Sequence, residues 1–406
     1  MNTSIRALLT LCACSSLITV ITTVTSSAKT ILVPSDSVTI QAGINGAATG
    51  DTVLVADGTY TGVGNRDIDF GGKNIILVSE NGPDVTTINC QATWSSRHYG
   101  FVFDQQEDST AVVEGFTIRN GMGVHLYYFM EYESSVDAGG GIYVDGASPT
   151  VRNCVLKYNR AGFGGAIFAR DADMKIVACV IRDNRAYGCG TVPEDGPCQC
   201  VPGRGSAIAA INATIRFNQC TIVGNKSYDY GCDCKCPGEY AVYAEGGSVA
   251  ITNSIIAFNQ SPWIGCTDSV WVECSDVFGN GANDWVNCVS DQSGIAGNIS
   301  LDPGFCAIAY DDYHLSISSP CLPENNSCGV QIGALGAGCT ADVITGDVNC
   351  DGIVDLSDIV ALGNALDGLT SLTGTCAADA ADLDGDSDTD EDDYNLLFDE
   401  ITGMGL

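Results

Sequence analysis

The chain has 406 residues, and its 50 acidic side chains against 17 Lys and Arg give a formal net charge of −33. Such a charge argues against nucleic acid or an anionic membrane surface as a partner. The charge is uneven: residues 340–406 contain 17 acids and no Lys or Arg, whereas residues 152–235 contain 11 bases against 7 acids, a net charge of +4. The basic stretch leaves room for an acidic polymer, such as a polyuronate, as a ligand.

Residues 1–28 have the features of a secretory signal peptide. A short basic start is followed by an apolar run over residues 7–24, and Ser26, Ser27 and Ala28 supply small residues for cleavage. We therefore expect a secreted, extracellular or cell-surface protein that begins near residue 29. Cleavage as a lipoprotein before Cys14 is the alternative. No other stretch is long and apolar enough to span a membrane, so membrane insertion is not expected.

Cysteine is abundant, with 21 residues, of which 19 lie beyond the signal. In a secreted protein disulfides are the default state of such cysteines. Cys198, Cys200, Cys232, Cys234 and Cys236 could instead bind a thiophilic metal. Their Cys-x-Cys spacing lacks the Cys-x-x-Cys geometry of zinc sites, and no His lies nearby, which favours disulfides.

The mature chain begins with a short helical pattern. Ile40, Ile44, Ala47 and Ala48 lie at helical spacing before a predicted strand over residues 52–56. Residues 75–78, 87–90, 101–103 and 112–118 then look like less regular turns of the strand-rich repeat that follows. An amphipathic helix at this position would cap the open end of a stack of strands, which otherwise exposes apolar core and unpaired edges.

Residues 140–161 recur 25 residues later as 165–186, and weaker copies follow near residues 207–226 and 241–259. A period of 22–25 residues, short strands and no helical pattern are typical of one turn of a parallel β-helix. Equivalent residues of successive turns would stack at about 4.8 Å. Two such stacks are predicted, and they contain Cys154, Cys179, Cys220 and Ser254 in the first and Asn159, Asn184, Asn225 and Asn259 in the second. If the three Cys are buried thiols, the 16 other mature Cys could pair.

Several segments resemble secreted bacterial proteins of the pectate-lyase-like group. They are residues 50–60, 68–72 and 114–121, and a closing segment with 302–303, 312–315, 319–321 and 332–335. The resemblance covers residues 29–339 and implies an all-β, right-handed parallel β-helix solenoid for that range. Enzymes of the group eliminate across a uronate with an Arg as base and Ca²⁺ held by Asp. The resemblance therefore allows a further Ca²⁺ in the β-helix.

Three insertions share one position in the repeat, between the Asn stack and the next Gly-rich strand. They span residues 121–139, 187–204 and 228–239. Equivalent positions of a solenoid lie on one edge, so these loops should form a single wall, where solenoids usually carry function. Aromatic side chains that could bind sugar rings are Tyr127, Tyr128, Tyr132, Tyr187, Tyr228 and Tyr230. Carboxylates that could act as acid or base are Glu131, Glu133 and Asp137.

Arg160, Arg185 and Lys226 follow the Asn stack and should form a basic row at the root of the loops. Their residue types suit a lyase base or a uronate-binding site. The alternative is that they keep an exposed turn soluble and pair with loop acids.

The last part of the chain contains the same Asp-rich loop twice. Oxygen side chains occupy positions 1, 3, 5, 9 and 12, the spacing of an EF-hand loop for a hard cation such as Ca²⁺. The predicted ligands are Asp347, Asn349, Asp351, Ile353 (through its carbonyl), Asp355 and Asp358 in the first loop, and Asp382, Asp384, Asp386, Asp388 (through its carbonyl), Asp390 and Asp393 in the second. A helical pattern follows each loop: Ile359, Leu362 and Leu366 after the first, and Tyr394, Leu397, Phe398 and Ile401 after the second.

This duplicated loop and helix resembles the type I dockerin over residues 340–403. The resemblance implies a small α-helical domain at 340–406 that folds on two Ca²⁺ ions and binds a cohesin domain of a scaffold or surface protein. Ser387 stands where the family has Gly, and Leu356-Ser357 and Glu391-Asp392 differ between the two copies.

Together these features predict an extracellular β-helix tethered through a calcium-dependent dockerin–cohesin interaction, which binds or takes part in the breakdown of polysaccharide. One alternative is a catalytic polysaccharide lyase or glycoside hydrolase acting on a uronate-like glycan. Another is a surface adhesin or spacer.

Overall fold

The computed structural model describes residues 27–129, 134–191, 199–229, 239–260, 262–267, 269–281, 283–308, 311–339, 356–366 and 389–402, with the single residues 346, 348, 354, 381 and 383. Three sheets, A, B and C, extend through residues 30–278, and every strand pair within them is parallel. Successive turns of the chain each add a strand to the three sheets. This part of the protein is therefore a parallel β-helix, as the repeat predicted.

Each sheet is ordered along the helix axis. Sheet A contains Thr30–Val33 (β1), Thr52–Val55 (β2), Ile76–Ser79 (β5), Val112–Glu114 (β8), Thr150–Arg152 (β13), Asp173–Val177 (β17), Thr214–Asn218 (β22), Ser248–Thr252 (β26) and Ser269–Glu273 (β29). Sheet B contains Gly58–Tyr60 (β3), Thr86–Asn89 (β6), Thr117–Arg119 (β9), Val155–Lys157 (β14), Val180–Arg182 (β18), Thr221–Val223 (β23), Ile255–Ala257 (β27) and Asp276–Phe278 (β30). Sheet C contains Ile68–Asp69 (β4), Phe101–Phe103 (β7), Ile142–Asp145 (β12), Ile167–Arg170 (β16), Ile208–Ile211 (β21), Val242–Glu245 (β25) and Ile264–Cys266 (β28).

The remaining described elements lie outside these sheets. They are the strands His125–Phe129 (β10), Ser134–Ala138 (β11), Arg160–Ala161 (β15), Arg185–Thr191 (β19), Gln199–Val201 (β20), Lys226–Asp229 (β24), Phe305–Ala307 (β31), Asp312–Ser316 (β32) and Ala337–Cys339 (β33), the helices Ile40–Gly46 (α1), Leu356–Leu366 (α2) and Glu391–Thr402 (α3), and the 3-10 turns Asn287–Val289 and Pro323–Asn325.

Sharp corners separate sheet A from sheet B. The corner residues have left-handed backbones and are Asn153, Ala178, Gln219, Asn253 and Cys274, with φ between 46 and 52°. In an earlier turn Gly115 takes this place with φ of 81°. The chain therefore bends at Gly115, and residues 112–118 form β8 and β9.

The predicted Asn stack is confirmed and is one residue longer than expected. Asn159, Asn184, Asn225 and Asn259 are buried, and each Nδ2 donates to Oδ1 of the next Asn at 3.0–3.1 Å, ending on Asn280. The same Oδ1 atoms accept the backbone N–H of the preceding Asn. Each Nδ2 also donates to a carbonyl of sheet B one turn back, such as that of Leu156 from Asn184, at 2.8 Å.

The predicted Cys stack is also confirmed. Cys154, Cys179 and Cys220 are buried free thiols, and Cys220 N donates to Ser254 Oγ in the next turn at 3.0 Å. Cys90 and Cys321 are buried free thiols too. The expectation that 16 other cysteines can pair is therefore wrong. Three disulfides lie in the described part of the chain, near the end of the β-helix: Cys266–Cys288, Cys274–Cys328 and Cys306–Cys339.

The helix α1 forms where the apolar pattern predicted it. Thr39 caps its N-terminus by accepting a hydrogen bond from Ala42 N at 3.2 Å, and Ile40 and Ile44 are buried in the main core. Packing of this kind favours a helix of only seven residues, which would be marginal alone. Whether it serves as the cap of the solenoid stays a prediction.

An aromatic layer covers the outer face of sheet C. Tyr143 and Phe168 stack at 5.6 Å between ring centroids, and Phe163 packs edge-on against Tyr243 at 6.1 Å. Arg204 lies over the Tyr243 ring, 4.7 Å from its centroid, and donates to its hydroxyl at 2.8 Å. All four aromatic side chains are buried, so this face is filled by the protein itself.

The closing segment, residues 302–339, folds back onto the outer face of sheet B. Leu315, Leu322 and Ile332 pack on Ile255 and Ala257, which face outward from β27. Ala334 N donates to Thr221 Oγ1 at 3.0 Å. The closing segment thereby buries the apolar residues that face outward from the last strands of sheet B, which form a second core. It leaves the earlier strands of sheet B uncovered.

Near the C-terminus, α2 and α3 pack through one small apolar cluster. Ile359 and Leu362 of α2 meet Leu397 of α3 in this cluster, together with Val348 and Ala381. Both helices therefore occur where the sequence pattern placed them.

The Asn stack makes a stability prediction. Replacing Asn184 by Ala removes the acceptor of two buried donors on Asn159 and the donor to Leu156 O. Leaving two or three buried polar groups unpaired should lower the free energy of unfolding by about 4 kcal/mol. Urea unfolding followed by tryptophan fluorescence measures this, because all four Trp lie between residues 94 and 285. The exposed Asn45→Ala variant should change stability by about 0.5 kcal/mol or less. Equal effects of the two substitutions would contradict the structural role of the stack.

Asp276 makes a prediction for pH. Burial raises the pKa of its carboxyl to about 7, although Leu301 N donates to it at 3.1 Å and the Cys321 thiol at 3.4 Å. The carboxyl of Asp276 has a pKa of about 4 in the unfolded chain and about 7 in the folded protein. Between these two pH values the folded protein keeps a proton that the unfolded chain loses, so the free energy of unfolding decreases as the pH rises.

The variant Asp276→Asn mimics the protonated carboxyl and should lose this pH dependence. Relative to the variant, the native protein should become less stable by on the order of 3 kcal/mol between pH 4 and pH 8. Urea unfolding midpoints at the two pH values measure the difference. The exposed Asp291→Asn variant is the control for removal of one carboxylate. Parallel pH profiles of the native and Asp276→Asn proteins would show that the site does not titrate in this range.

Candidate functional site

The three insertions leave the β-helix at one edge. Isolated β-bridges join Ala138 to Phe163, Phe163 to Arg204 and Arg204 to Glu239, so the returning ends of the loops lie in successive turns. On the departing side, Met122 bridges to Arg160. This edge, where residues 121–139, 187–204 and 228–239 begin and end, is called the loop edge below.

The basic residues predicted at the loop roots lie side by side in three short parallel strands. Arg160 of β15 is the partner of Arg185 of β19, and Arg185 is the partner of Lys226 of β24. The Asn stack fixes this register, because each member directly follows an Asn of the stack. Arg160 is half-buried, whereas Arg185 and Lys226 are exposed.

A cavity of about 450 Å³ opens beside Arg160 and Arg185 and is called the edge pocket. Its lining is polar apart from Ala92 and the Tyr158 ring. The other lining residues are Asn89, Gln91, Thr93 and Asn120. Amide and hydroxyl groups beside two guanidinium groups can bind both the hydroxyls and the carboxylate of an acidic sugar.

Trp94 stands next to this pocket and organises the cations around it. The Arg160 guanidinium lies 5.2 Å from the centroid of the Trp94 ring, and that of Arg97 lies 5.6 Å from it. Tyr187 packs edge-on against Trp94 at 5.2 Å between centroids. Trp94 is 38% exposed, so part of this residue remains accessible. Cation–π contact of this kind contributes roughly 0.5–1 kcal/mol at exposed sites.

Asp137 holds two of these neighbours in place. Its carboxylate forms an ion pair with Arg97 and accepts a hydrogen bond from the Tyr187 hydroxyl. Burial, followed by the negative charge of Asp137, raises the pKa of Tyr187 well above its usual range, so this hydroxyl stays protonated. In this arrangement Asp137 is a positioning residue; its predicted role as an acid or base stays a prediction.

The structure describes three of the other predicted loop residues through their strand pairing. Tyr127 and Tyr128 belong to β10, which pairs antiparallel with β11, and Tyr228 of β24 is the strand partner of Tyr187. Glu131, Tyr132, Glu133 and Tyr230 lie outside the described residues. The sugar-binding role of the six tyrosines, Tyr187 included, stays a prediction.

Trp94 and Arg97 are members of the site that the sequence analysis missed. Both lie on the segment between β6 and β7, which also holds a pair formed by His98 Nδ1 and Asp67 Oδ2 at 2.6 Å. The signal was an aromatic and two basic side chains, Trp94-Ser-Ser-Arg97-His98, within an irregular connection. It has no counterpart in the later repeats and so escaped a search based on periodicity.

The predicted calcium loops are described at a few positions. Asp358 is buried at the start of α2, and Asp393 is buried at the start of α3. Asp393 accepts hydrogen bonds from Leu383 N at 2.7 Å and Asp390 N at 2.8 Å, so the carboxylate at position 12 turns back onto its own loop. That closure fits an EF-hand-like ligand set. The predicted ligands that lie outside the described residues are Asp347, Asn349, Asp351, Ile353, Asp355, Asp382, Asp384, Asp386 and Asp388.

Within the described ranges, no group of three or more His, Cys, Asp and Glu side chains has a geometry that could hold a metal ion. None of the described helices is both long and apolar enough to cross a membrane.

No protein-family model matches the chain, and no curated protein matches it. Among solved structures, it is similar to a pectin methylesterase from carrot, with 12% sequence identity over 70% of this chain and 90% of that chain and a TM-score of 0.27. The assignment of a parallel β-helix rests on the strand pairing described above.

Proposed function

We propose that this protein is an extracellular β-helix that binds acidic polysaccharide at its loop edge and is tethered by its C-terminal calcium loops to a cohesin-type domain. The observation that carries the binding proposal is Arg160, which lines the edge pocket while its guanidinium stacks on the Trp94 ring. A uronate offers a carboxylate for the guanidinium and a ring face for the indole, so it matches both features at once.

Charge supports an acidic ligand over a neutral one. In a protein with a net charge of −33, most of the surface repels anions. Two arginines facing one polar cavity are therefore a local exception that a neutral glycan would not need. The pocket opens at the loop edge, where a long polymer could lie across successive turns.

Turnover is the alternative function of the same pocket, as a polysaccharide lyase or a glycoside hydrolase. Arg160 favours it, because this residue lines the pocket and an Arg is the base in the lyases that the sequence resembles. The binding assay below therefore includes a search for products.

The tether is proposed from the duplicated loop, and the buried Asp358 and Asp393 at the two helix starts support it. Calcium would supply the charge that allows each cluster of carboxylates to fold, so its binding energy is also folding energy. A cohesin-type domain of a scaffold or surface protein is the proposed partner, and the secretory signal predicted over residues 1–28 is the basis for proposing an extracellular location.

Removing calcium should unfold the C-terminal region and leave the β-helix intact. In chelator we expect the full chain to lose helical far-UV circular dichroism while its tryptophan fluorescence stays unchanged, because all four Trp lie between residues 94 and 285, outside the C-terminal region. Added Ca²⁺ should restore the helical signal. An Asp347→Ala, Asp382→Ala double variant should resemble the chelated protein, whereas Asp171→Ala on an exposed turn should not. A helical signal that persists in chelator would refute calcium-dependent folding.

Replacing Arg160 by Gln should weaken acidic-glycan binding selectively. The variant loses a charge-assisted contact, so the Kd for a short oligouronide should rise about tenfold, equivalent to ~1.4 kcal/mol, while that for a neutral oligosaccharide stays unchanged. Trp94→Ala should weaken the binding of both ligands. Isothermal titration measures each affinity, and Lys175→Gln, on the outer face of sheet A, controls for the lost charge.

The same samples should be assayed for unsaturated products and new reducing ends. Unsaturated product that depends on Arg160 would identify a lyase, and reducing ends alone would identify a hydrolase. Folded native protein that binds no acidic oligosaccharide would overturn the proposed function and favour an adhesin or spacer.

A further inference from the structure

A second cavity lies on sheet B, away from the loop edge. The closing segment covers the later strands of this sheet, and its residues 311–314 form one side of the cavity. The turn at residues 81–84 forms the other side. Between them remains an open groove of about 740 Å³, whose floor is formed by the outward side chains of β6, β9, β14 and β18. We call it the sheet-B groove.

Three cations stand in register on its floor. Arg119 of β9 is the strand partner of Lys157 of β14, and Lys157 is the partner of Arg182 of β18. All three line the groove. We call these three residues the groove row. Adjacent strands lie about 4.8 Å apart, so three like charges lie side by side, which is unfavourable without counter-ions.

Carboxylates of the protein neutralise one end of the row. Asp311 accepts a hydrogen bond from Arg182 at 2.6 Å and contacts Lys157 Nζ at 3.4 Å, and Asp183 pairs with Arg182 at 2.6 Å. At the rim, Asp312 is bound to His314 Nδ1 at 2.7 Å, and the exposed Asp84 faces solvent.

Arg119 stands at the other end without such a partner. Within the described part of the chain its guanidinium forms no ion pair, and its Nε is buried with no hydrogen-bond acceptor. A buried donor without an acceptor is unfavourable. The Arg119 side chain also lines the groove, where an anion can pair with its charge.

Lys157 lies between Arg119 and Arg182 in the row and is half-buried. Desolvation and then the nearby Arg182 lower the pKa of its ammonium group below the usual value, and Arg119 adds to the effect. Asp311 opposes the shift without cancelling it. An anion between Arg119 and Lys157 would relieve this repulsion.

We propose that the sheet-B groove is a second anion site, in which Arg119 and Lys157 together bind the carboxylate of an acidic sugar residue. The class of ligand rests on the proposed function, whereas the site does not share a cation with the edge pocket. Tyr158 separates the two: its ring lines the edge pocket, and Lys157 and Arg182 lie 5.7 and 5.5 Å from its centroid.

The test compares Arg119→Gln with Arg160→Gln in the full-length protein with calcium. Isothermal titration with a short oligouronide at low salt should show the Kd of Arg119→Gln raised about tenfold, and the effect should shrink in about 0.5 M salt because it is electrostatic. Arg119→Lys keeps the charge and should recover part of the affinity. Lys175→Gln should bind as the native protein does. Thermal unfolding verifies that each variant is folded.

The outcomes separate this site from the edge pocket. Weaker binding in Arg119→Gln alone supports the groove and refutes the edge pocket, and weaker binding in Arg160→Gln alone does the reverse. Losses in both variants support both sites. A sulfated oligosaccharide of matched charge that binds more tightly than the oligouronide, with the same dependence on Arg119, would overturn the carboxylate assignment. Equal binding by folded Arg119→Gln and native protein would overturn the site itself.

Discussion

The structure depends on a register that does not slip between turns of the β-helix. Asn159, Asn184, Asn225, Asn259 and Asn280 set it, because each amide binds its successor and a carbonyl one turn back. A shift by one residue would bury a charged side chain and leave these amides unpaired. The register of the basic residues depends on this stack: Arg160, Arg185 and Lys226 directly follow its members, and Lys157 and Arg182 precede members by two residues.

The sequence predicted what repeats and missed what does not. The Asn and Cys stacks and the alignment of Arg160 with Arg185 and Lys226 followed from the period, since equal positions in equal turns must stack. Trp94 and Arg97 escaped because their connection occurs once. The sheet-B groove escaped for another reason: Asp311 lies 129 residues from Arg182, and no local pattern shows that the closing segment folds back onto it.

The distribution of charge gains a physical meaning from the fold. A strongly acidic protein would keep an acidic polymer away by long-range repulsion, which salt at physiological strength screens beyond about 8 Å. Binding of an acidic polymer then depends on the charged groups within a few ångströms of it, and basic side chains line the two cavities. Arg160 and Arg185 line one cavity, and Arg119 and Lys157 line another.

Tyr158 connects the two cavities in a way that bears on polymer binding. Its ring lines the edge pocket on one side and contacts the cations of the sheet-B groove on the other, and it is 44% exposed. A chain that crosses this ring would meet both sites on one rigid frame, so binding at the first raises the effective concentration at the second. A monosaccharide gains nothing from that arrangement, whereas a polyuronate gains from each additional site, which makes chain length the property of the ligand that this surface would select.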